Sequence, residues 1–424
     1  MTDIDTEVSV AWPLMKRILF RLTGAFFILM SFPFPFVLIP SASLKGLLNA
    51  MPDVPVRAMA RLLHVSVDVR PNGSGDTTYS WVLLLCVAIG AVAVTLVWSV
   101  IDRRRREYDR AWIALRAFLR FVLAMAMIRY GAAKVIPSQF PPPTLDRLMQ
   151  PFGDASPMGL LWTFMGASAA YTIFTGTMEM LGGLLLTMRR TALLGALISM
   201  GVLVNIVALN FMYDVPVKIY SLELLAMAAV IALPDVPRLV DFFVRNRPVT
   251  PAPLPRFWRN RSVEIKGIVL RTLAVVVVVL SSLEGVRAMQ RMYGGAEARS
   301  PLYGIWRADD FQVDGKTVPI SDPARWRRVI FDRRFMASVQ LMNDSQQWVS
   351  VQLNDKTRTL VVSRRNEPAW DGRLSYARPD AATLIIDGDL GGHKVHALCH
   401  NEPIPKFLLT NRGFHWINEY PFNR

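Results

Sequence analysis

Long apolar runs alternate with short polar joints over the first two thirds of the chain. Several runs approach the roughly 20 residues that a helix needs to cross a bilayer, and charged residues gather between them. The pattern therefore predicts an α-helical multi-pass membrane protein with about seven spans. The predicted spans are Ile18–Pro40, Trp81–Ile101, Trp112–Ile136, Gly159–Met188, Thr191–Met212, Val217–Leu233 and Gly267–Met289.

The character of the chain changes after residue 290. Short segments such as ATLIIDG and KVHALCH are rich in β-branched residues and are separated by turn formers, which is typical of an antiparallel sheet. The opening YGIWRADDF resembles the Gly-x-Trp start of lipocalin-type barrels. A small barrel and a β-sandwich both explain these strands. The closing segment GFHWINEYPFNR is aromatic, and we expect it to be packed rather than free.

These changes of pattern divide the chain into four predicted domains. N-terminal helices with a long outer loop occupy residues 1–101, and a four-helix membrane core follows at 102–245. A basic linker and the last span occupy 246–290, and an all-β domain occupies 291–424.

Composition and charge support the membrane assignment. Hydrophobic residues make up 52% of the 424 residues, charged residues only 19%, and the mean hydropathy is +0.29. The net charge of +15 comes from arginines that cluster beside apolar runs, so we interpret it as a topology signal and expect no nucleic-acid partner.

The basic clusters predict an orientation in the bilayer. Placing Arg103–Arg106, Arg189–Arg190 and the Arg238–Lys266 connection on the cytoplasmic side satisfies all three clusters. The N-terminus is then cytoplasmic and the β domain extracytoplasmic. We therefore predict a bacterial inner membrane protein with a periplasmic C-terminal domain.

Cysteine and histidine usage excludes several kinds of redox centre. The chain has two cysteines, Cys86 and Cys399, and no Cys-x-x-Cys, so dithiol chemistry has no support. Spans two to seven contain no histidine, which excludes bis-histidine haem in the bundle. His393, His396 and His400 lie near Cys399, but alternate residues of a strand face opposite ways, so we expect no metal site there.

Polar residues at membrane depth concentrate in spans three to six. Ionisable side chains in a bilayer are functional candidates by default. We predict an outward-facing pocket in which Arg129 pairs with Glu179 and Asp214 with Lys218, although the same pairs would also lock helices together. In a straight span from Gly159, Glu179 would pass the midplane. The candidate residues are Glu179, Arg129 and Lys134 as catalytic groups, and Asn205, Asn210, Tyr213, Asp214, Lys218 and Glu223 as substrate-binding groups.

Two further arginines are expected to be structural. Arg116 and Arg120 lie near the cytoplasmic start of span three, where a long cationic side chain can reach the headgroups or fix a neighbouring helix.

The polar landmarks of the membrane part resemble a known family. The segments NGSGDTTYSWV (72–82), RYGAAK (129–134), FTGTMEMLGGLLLTMRRT (174–191) and GALISMGVLVNIVALNFMYDVPVK (195–218) look like those of the DoxX-like membrane proteins. The resemblance covers roughly residues 70–245 and implies a four-helix membrane core made of spans three to six. It also implies a redox setting, because some members work with quinones, reduced sulfur compounds or partner oxidoreductases.

On that resemblance we expect a redox-associated protein that binds a quinone or a small anionic substrate and assists a partner oxidoreductase. Whether the chain is itself a membrane oxidoreductase subunit stays open. One alternative is a non-catalytic membrane scaffold whose β domain binds a partner or lipid. A second alternative is a small-solute transporter, which predicts polar residues in both halves of the membrane.

Overall fold

Helices dominate the chain up to Tyr293 and strands dominate the remainder, in agreement with the change of sequence pattern. The computed structural model describes residues 11–34, 42–70, 72–251, 261–293, 299–364 and 367–423. The chain folds as two units. The membrane unit consists of Met1–Ala132 and Thr175–Leu283, and the barrel unit of Ala133–Phe174 and Glu284–Arg424.

Six helices of the described part are long and apolar enough to cross a membrane, and they match predicted spans two to seven. α10 runs through a short 3₁₀ turn into α11 and forms one of them. The helices are α1 (Leu14–Met30), α2 (Ala42–Ala50), α3 (Asp53–Leu62), α4 (Thr78–Ile101), α5 (Asp109–Val135), α6 (Leu145–Met149), α7 (Pro157–Ala167), α8 (Ala169–Thr187), α9 (Ala192–Met212), α10 (Lys218–Ala232), α11 (Val236–Phe243), α12 (Arg261–Tyr293) and α13 (Leu408–Asn411).

The helix at the first predicted span ends before the apolar run does. α1 has 17 residues and ends at Met30, and residues 35–40 of the predicted span lie outside the described part of the chain. Pro33 follows the helix end, and a proline cannot donate a backbone hydrogen bond to continue a helix.

The fourth predicted span is wrong as a single helix, because it breaks at Ser168 into α7 and α8. Ser168 has an extended backbone with φ −127° and ψ 94°. Its hydroxyl accepts the Tyr171 N–H at 3.3 Å, and the Thr172 hydroxyl donates to the Met165 carbonyl at 2.7 Å. Ser168 thereby caps α8. Hydropathy does not reveal the break, because apolar residues continue on both sides of it.

The C-terminal strands form a closed barrel, so the sandwich alternative is wrong. Eight antiparallel strands follow one another around the wall, and the first pairs with the last from Ile305–Glu402 to Val313–Val395. β2 pairs only with the end of β1. The strands are β1 (Arg299–Val313), β2 (Lys316–Thr317), β3 (Trp326–Arg333), β4 (Met336–Leu341), β5 (Gln346–Asn354), β6 (Thr359–Ser363), β7 (Gly372–Ala377), β8 (Thr383–Leu390) and β9 (His393–Glu402).

The Gly-x-Trp segment closes one part of the barrel core. Trp306 is completely buried, its indole N–H donates to the Leu302 carbonyl at 2.8 Å, and the Arg378 guanidinium lies 5.3 Å from its ring. Gly304 has φ +146°, and a Cβ there would approach the Asn401 amide to 2.8 Å. A cavity of about 20 Å³ lies among the core side chains, with room for one water. The barrel interior is therefore a packed core.

A segment of the α5–α7 connection is fixed to the outer wall of the barrel. The N–H of Leu145 donates to the Asp332 carboxylate at 2.7 Å, and the indole N–H of Trp348 donates to Asp146 at 2.7 Å. Leu145 is buried together with Ile330 on the outside of β3. These contacts explain why residues 133–174 belong to the barrel unit.

The aromatic C-terminal tail is exposed, which corrects the expectation that it is packed. Phe414, Trp416 and Tyr420 are among the most exposed large side chains of the described residues. The barrel core is already filled by its own strands, so the tail has no cavity there to occupy.

The buried thiol of Cys399 leads to a first prediction. Burial raises the pKa of Cys399 to about 12, so almost no thiolate exists near neutral pH. In a Cys86→Ser background, we expect no labelling of Cys399 by a maleimide at pH 8 and full labelling in denaturant. Rapid labelling of the folded protein would contradict the buried position.

The same shift gives a pH dependence. Only the unfolded chain releases the Cys399 proton between its ordinary pKa of 9.0 and about 12, so this group destabilises the folded barrel as the pH rises through that range.

Candidate functional site: a polar cluster in the membrane unit

The backbones of α5 and α8 approach closely at glycines. A Cβ on Gly131 would lie 2.6 Å from the Gly176 carbonyl oxygen, and a Cβ on Gly183 would lie 3.0 Å from the Ala124 carbonyl oxygen. Residues three and four apart share one face of a helix, so Glu179 lies between Gly176 and Gly183 on the face turned to α5. Glycines of α8 therefore form part of its interface with α5.

Glu179 is buried deep in the membrane unit, with 1% of its surface exposed. It follows the start of α8 at Ala169 by ten residues, which is about 15 Å at 1.5 Å per residue. In a bilayer crossed by α8, this position would lie near the middle of a hydrocarbon core about 30 Å thick. The carboxyl also has polar or electrostatic partners within the described residues, so it is not turned alone toward lipid.

Glu179 is linked through Tyr130 on α5 to charged and aromatic groups of α10. Arg129 and Glu179 both lie within electrostatic range of Tyr130. The Tyr130 and Tyr220 rings are 6.0 Å apart with an interplanar angle of 43°, and Tyr220 is within range of Glu223 and Arg129. We call these five residues the polar cluster.

Sequence reasoning selected three members of the polar cluster and missed Tyr130 and Tyr220 as site residues. Tyr130 directly follows Arg129, and Tyr220 lies two positions after Lys218, the first residue of α10. That proximity to charged residues could have identified both tyrosines. Arg129 is exposed, whereas Glu223 is half-buried.

Lys134, the third predicted catalytic residue, belongs to the barrel unit. Its side chain is buried, and its ammonium lies 6.0 Å from the centre of the Phe140 ring. Its part in a shared pocket with Glu179 stays a prediction.

The predicted pair of Asp214 with Lys218 is present in the α9–α10 turn. The Lys218 ammonium lies 2.9 Å from the Asp214 carboxylate, whose side chain is 85% exposed. Asp214 has φ +50°, a conformation that short polar residues tolerate best. The pair therefore lies at the surface of the turn.

Asp76 caps the start of α10, although it precedes Lys218 by 142 residues. It was not identified from the sequence. Its carboxylate accepts the N–H groups of Lys218 at 2.8 Å and Ile219 at 3.1 Å, the first two residues of α10. The Gly75 N–H also donates to the Pro216 carbonyl at 2.7 Å. A negative charge at a helix N-terminus satisfies free N–H groups and the helix dipole.

Asp76→Ala should lower the free energy of unfolding by about 1–2 kcal/mol, the usual loss for a helix cap. Asp76→Asn keeps one acceptor oxygen and should lose less. Asp214→Ala is the matched control, because it removes the other carboxylate near Lys218 but caps no helix. Detergent-denaturant unfolding measures all three, and equal losses for Asp76→Ala and Asp214→Ala would contradict the capping role.

The two asparagines predicted to bind substrate lie in different environments. The Asn210 amide donates to the Val217 carbonyl at 3.3 Å and to the Ser221 hydroxyl at 3.0 Å, so it fastens the end of α9 to α10. Asn205 is exposed on α9, and Tyr213, the residue after α9, is half-buried.

Comparisons with known proteins give one informative relative. No protein-family model matches the chain, and no solved structure matches it. An uncharacterised protein of Bacillus subtilis (strain 168), YwoB, is 35% identical over 138 residues, which cover 86% of YwoB and 32% of this chain. The chain belongs to the YwoB family. Membership in the YwoB family assigns no activity, and the resemblance to DoxX-like proteins stays a prediction.

Arg116 and Arg120 of this YwoB-family chain cap helix C-termini. The Arg120 guanidinium donates to the Leu186 carbonyl at 2.8 and 3.1 Å, and Arg116 donates to the Ile231 carbonyl at 2.7 Å. Cations at helix C-termini satisfy free carbonyl groups, which supports the structural role expected for both.

Arg21, a buried arginine of α1, was not identified from the sequence. Arg21 is 2% exposed and donates to the Tyr108 hydroxyl at 2.7 Å, the Ser99 hydroxyl at 2.8 Å and the Asp102 carbonyl at 3.2 Å. Tyr108 in turn donates to the Asp102 carboxylate at 2.8 Å. Its donors are committed to these partners, which favours a structural role over ligand binding.

The histidines of β9 form pairs with aspartates. His393 contacts Asp314 at 2.8 Å, and His400 contacts Asp309 at 2.6 Å. Cys399 faces the barrel interior, on the opposite side of the strand from His396 and His400. The described residues contain no group of three side chains placed to hold a metal ion.

Proposed function

We propose that this chain is an integral membrane protein whose polar cluster binds a quinone or a small anionic ligand and supports a partner oxidoreductase. The observation that carries the proposal is Glu179, a carboxyl with 1% of its surface exposed on a helix long and apolar enough to cross a membrane, within electrostatic range of Tyr130 on α5. Ionisable groups at such positions are expensive and are usually retained for function. In this proposal the protein lies in a bacterial inner membrane with the barrel outside the cytoplasm.

Each member of the polar cluster has a proposed role. Arg129 attracts a negative charge or a quinone oxygen, and Glu179 takes up or releases the proton that keeps the site neutral. The rings of Tyr130 and Tyr220 offer an aromatic surface against which a planar head group can stack.

The test begins with ligands retained by the protein purified in mild detergent, identified by mass spectrometry. Binding is then measured with a short-chain ubiquinone and with thiosulfate. Glu179→Gln should weaken binding by about tenfold or more, the usual loss when one partner of a buried charged contact is removed. Arg129→Ala should weaken binding in the same direction but less, because its side chain is exposed. Arg70→Ala is the matched control, because Arg70 is exposed and contacts only Asp68 among the described ion pairs.

Two outcomes would overturn the proposal. Unchanged affinity in both variants would show that the polar cluster does not contact the probe. An equal loss of folded protein in both variants, with no retained ligand in the wild type, would assign the cluster to helix packing.

The scaffold alternative is favoured by the exposed tail of the barrel unit. Phe414, Trp416 and Tyr420 present aromatic surface without cover among the described residues, and exposed aromatic groups often mark interaction sites. Truncation after Asn411 leaves every strand intact. A phenotype that survives this truncation and is lost in Glu179→Gln rejects the scaffold, and the reverse result supports it.

A further inference from the structure

One face of α9 packs within the membrane unit and the other is open. Gly195, Ala196, Ser199, Leu203 and Asn210 are buried, and a Cβ on Gly195 would lie 2.6 Å from the Leu186 backbone nitrogen. The open face carries the exposed residues Leu194, Gly201, Val204, Asn205 and Phe211.

Asn205 places an amide on this open face close to the centre of the membrane. It lies three residues beyond Val202, the middle residue of α9, which is about 4.5 Å along the helix axis. The nearer helix end is seven residues away at Met212, about 10 Å. An asparagine side chain is too short to reach the headgroup region over that distance.

The amide therefore needs a protein partner. Within the described residues, Asn205 has no hydrogen-bonding or electrostatic partner. An amide in hydrocarbon without a hydrogen bond is costly, and membrane helices satisfy such groups by bonding across helix interfaces.

We propose that α9 pairs with α9 of a second copy of this chain through Asn205. An asparagine amide carries both donors and an acceptor, so the same residue on a two-fold related helix completes it. Gly201 lies one turn away on the same face, and a Cβ there would meet nothing within 4 Å. The backbone of a second helix can therefore approach α9 closely at Gly201, next to the amide. A different partner protein would need a polar group of its own at the same depth. The inference does not depend on the ligand site.

Cysteine cross-linking tests the geometry in the full-length protein with Cys86→Ser and Cys399→Ala. Val204→Cys and Ala208→Cys lie on the proposed seam, and Val97→Cys is the matched control because it is exposed on α4. We expect disulfide-linked dimers for the two α9 variants and none for Val97→Cys. Equal cross-linking at all three positions, or none on α9, overturns the proposal.

Dilution into excess lipid tests the energetics, with the dimer fraction measured by single-molecule photobleaching. Asn205→Leu should weaken association about tenfold, the loss of one or two interhelical hydrogen bonds in lipid, and Asn205→Gln should retain most of it. At a lipid dilution at which the wild type is monomeric, both variants should keep the wild-type unfolding midpoint, because the side chain is exposed within one copy. A monomeric wild type, or cross-links from α9 only to another protein, contradicts the second-copy assignment.

Discussion

Replacing Arg21 by leucine should lower the free energy of unfolding of the protein by about 3–5 kcal/mol, the range seen when one partner of a buried charged network is removed. The change leaves the hydroxyls of Ser99 and Tyr108 and the backbone carbonyl of Asp102 without the guanidinium that they share. Unfolding in mixed detergent micelles measures the loss.

Arg21→Lys and Arg70→Leu are the informative companions of that variant. Lysine keeps the charge but cannot reach three acceptors as a planar guanidinium does, so an intermediate loss is expected. Arg70 is exposed and should change the midpoint little. If Arg21→Leu unfolds at the wild-type midpoint, the network does not stabilise the fold.

Gly131→Ala should cost about 2–3 kcal/mol, because overpacking a closely fitted interface has costs of this order. The added methyl would lie 2.5 Å from the Met180 side chain and 2.6 Å from the Gly176 carbonyl oxygen. The side chain can rotate, but the carbonyl oxygen is part of a helix backbone, so α5 and α8 must separate. Unfolding experiments and ligand binding should both register the change, because Glu179 lies on the same interface.

The control for this substitution is Gly285→Ala on α12, which lies outside the proposed α9 seam. Its added methyl would meet nothing within 4 Å, and alanine is the better helix former, so stability should stay equal or rise slightly. A loss as large as that of Gly131→Ala would mean that helix propensity and lipid contacts, rather than the α5–α8 approach, determine the effect.

Much of the fold could be predicted from the sequence because each signal is local. Apolar run length identified the places of six helices, and β-branched alternation identified the strands that close into a barrel. The break at Ser168 could not be read this way, because small apolar residues continue on both sides. The contact of Asp332 with Leu145 spans 187 residues, and no periodicity reports such a distance.

The sequence predicted which residue types form the candidate site better than it predicted which way their side chains point. An ionisable group in an apolar run is visible in the sequence, as for Glu179. Which way a side chain points depends on the neighbours of its helix. The sequence therefore could not separate Asn205, which is exposed on α9, from Asn210, which is buried near the end of the same helix. Asp76 was missed because it lies in a loop whose partner is distant in sequence.

The discontinuous barrel unit has a consequence for biogenesis. The α6 segment leaves the ribosome long before the strand that covers it. At 5–20 residues per second, the 187 residues between Leu145 and Asp332 take roughly 10–40 s to synthesise. During that interval Leu145 lacks the wall that later buries it, and a chaperone on the side of the membrane where the barrel folds would meet an apolar loop before it meets a β-strand.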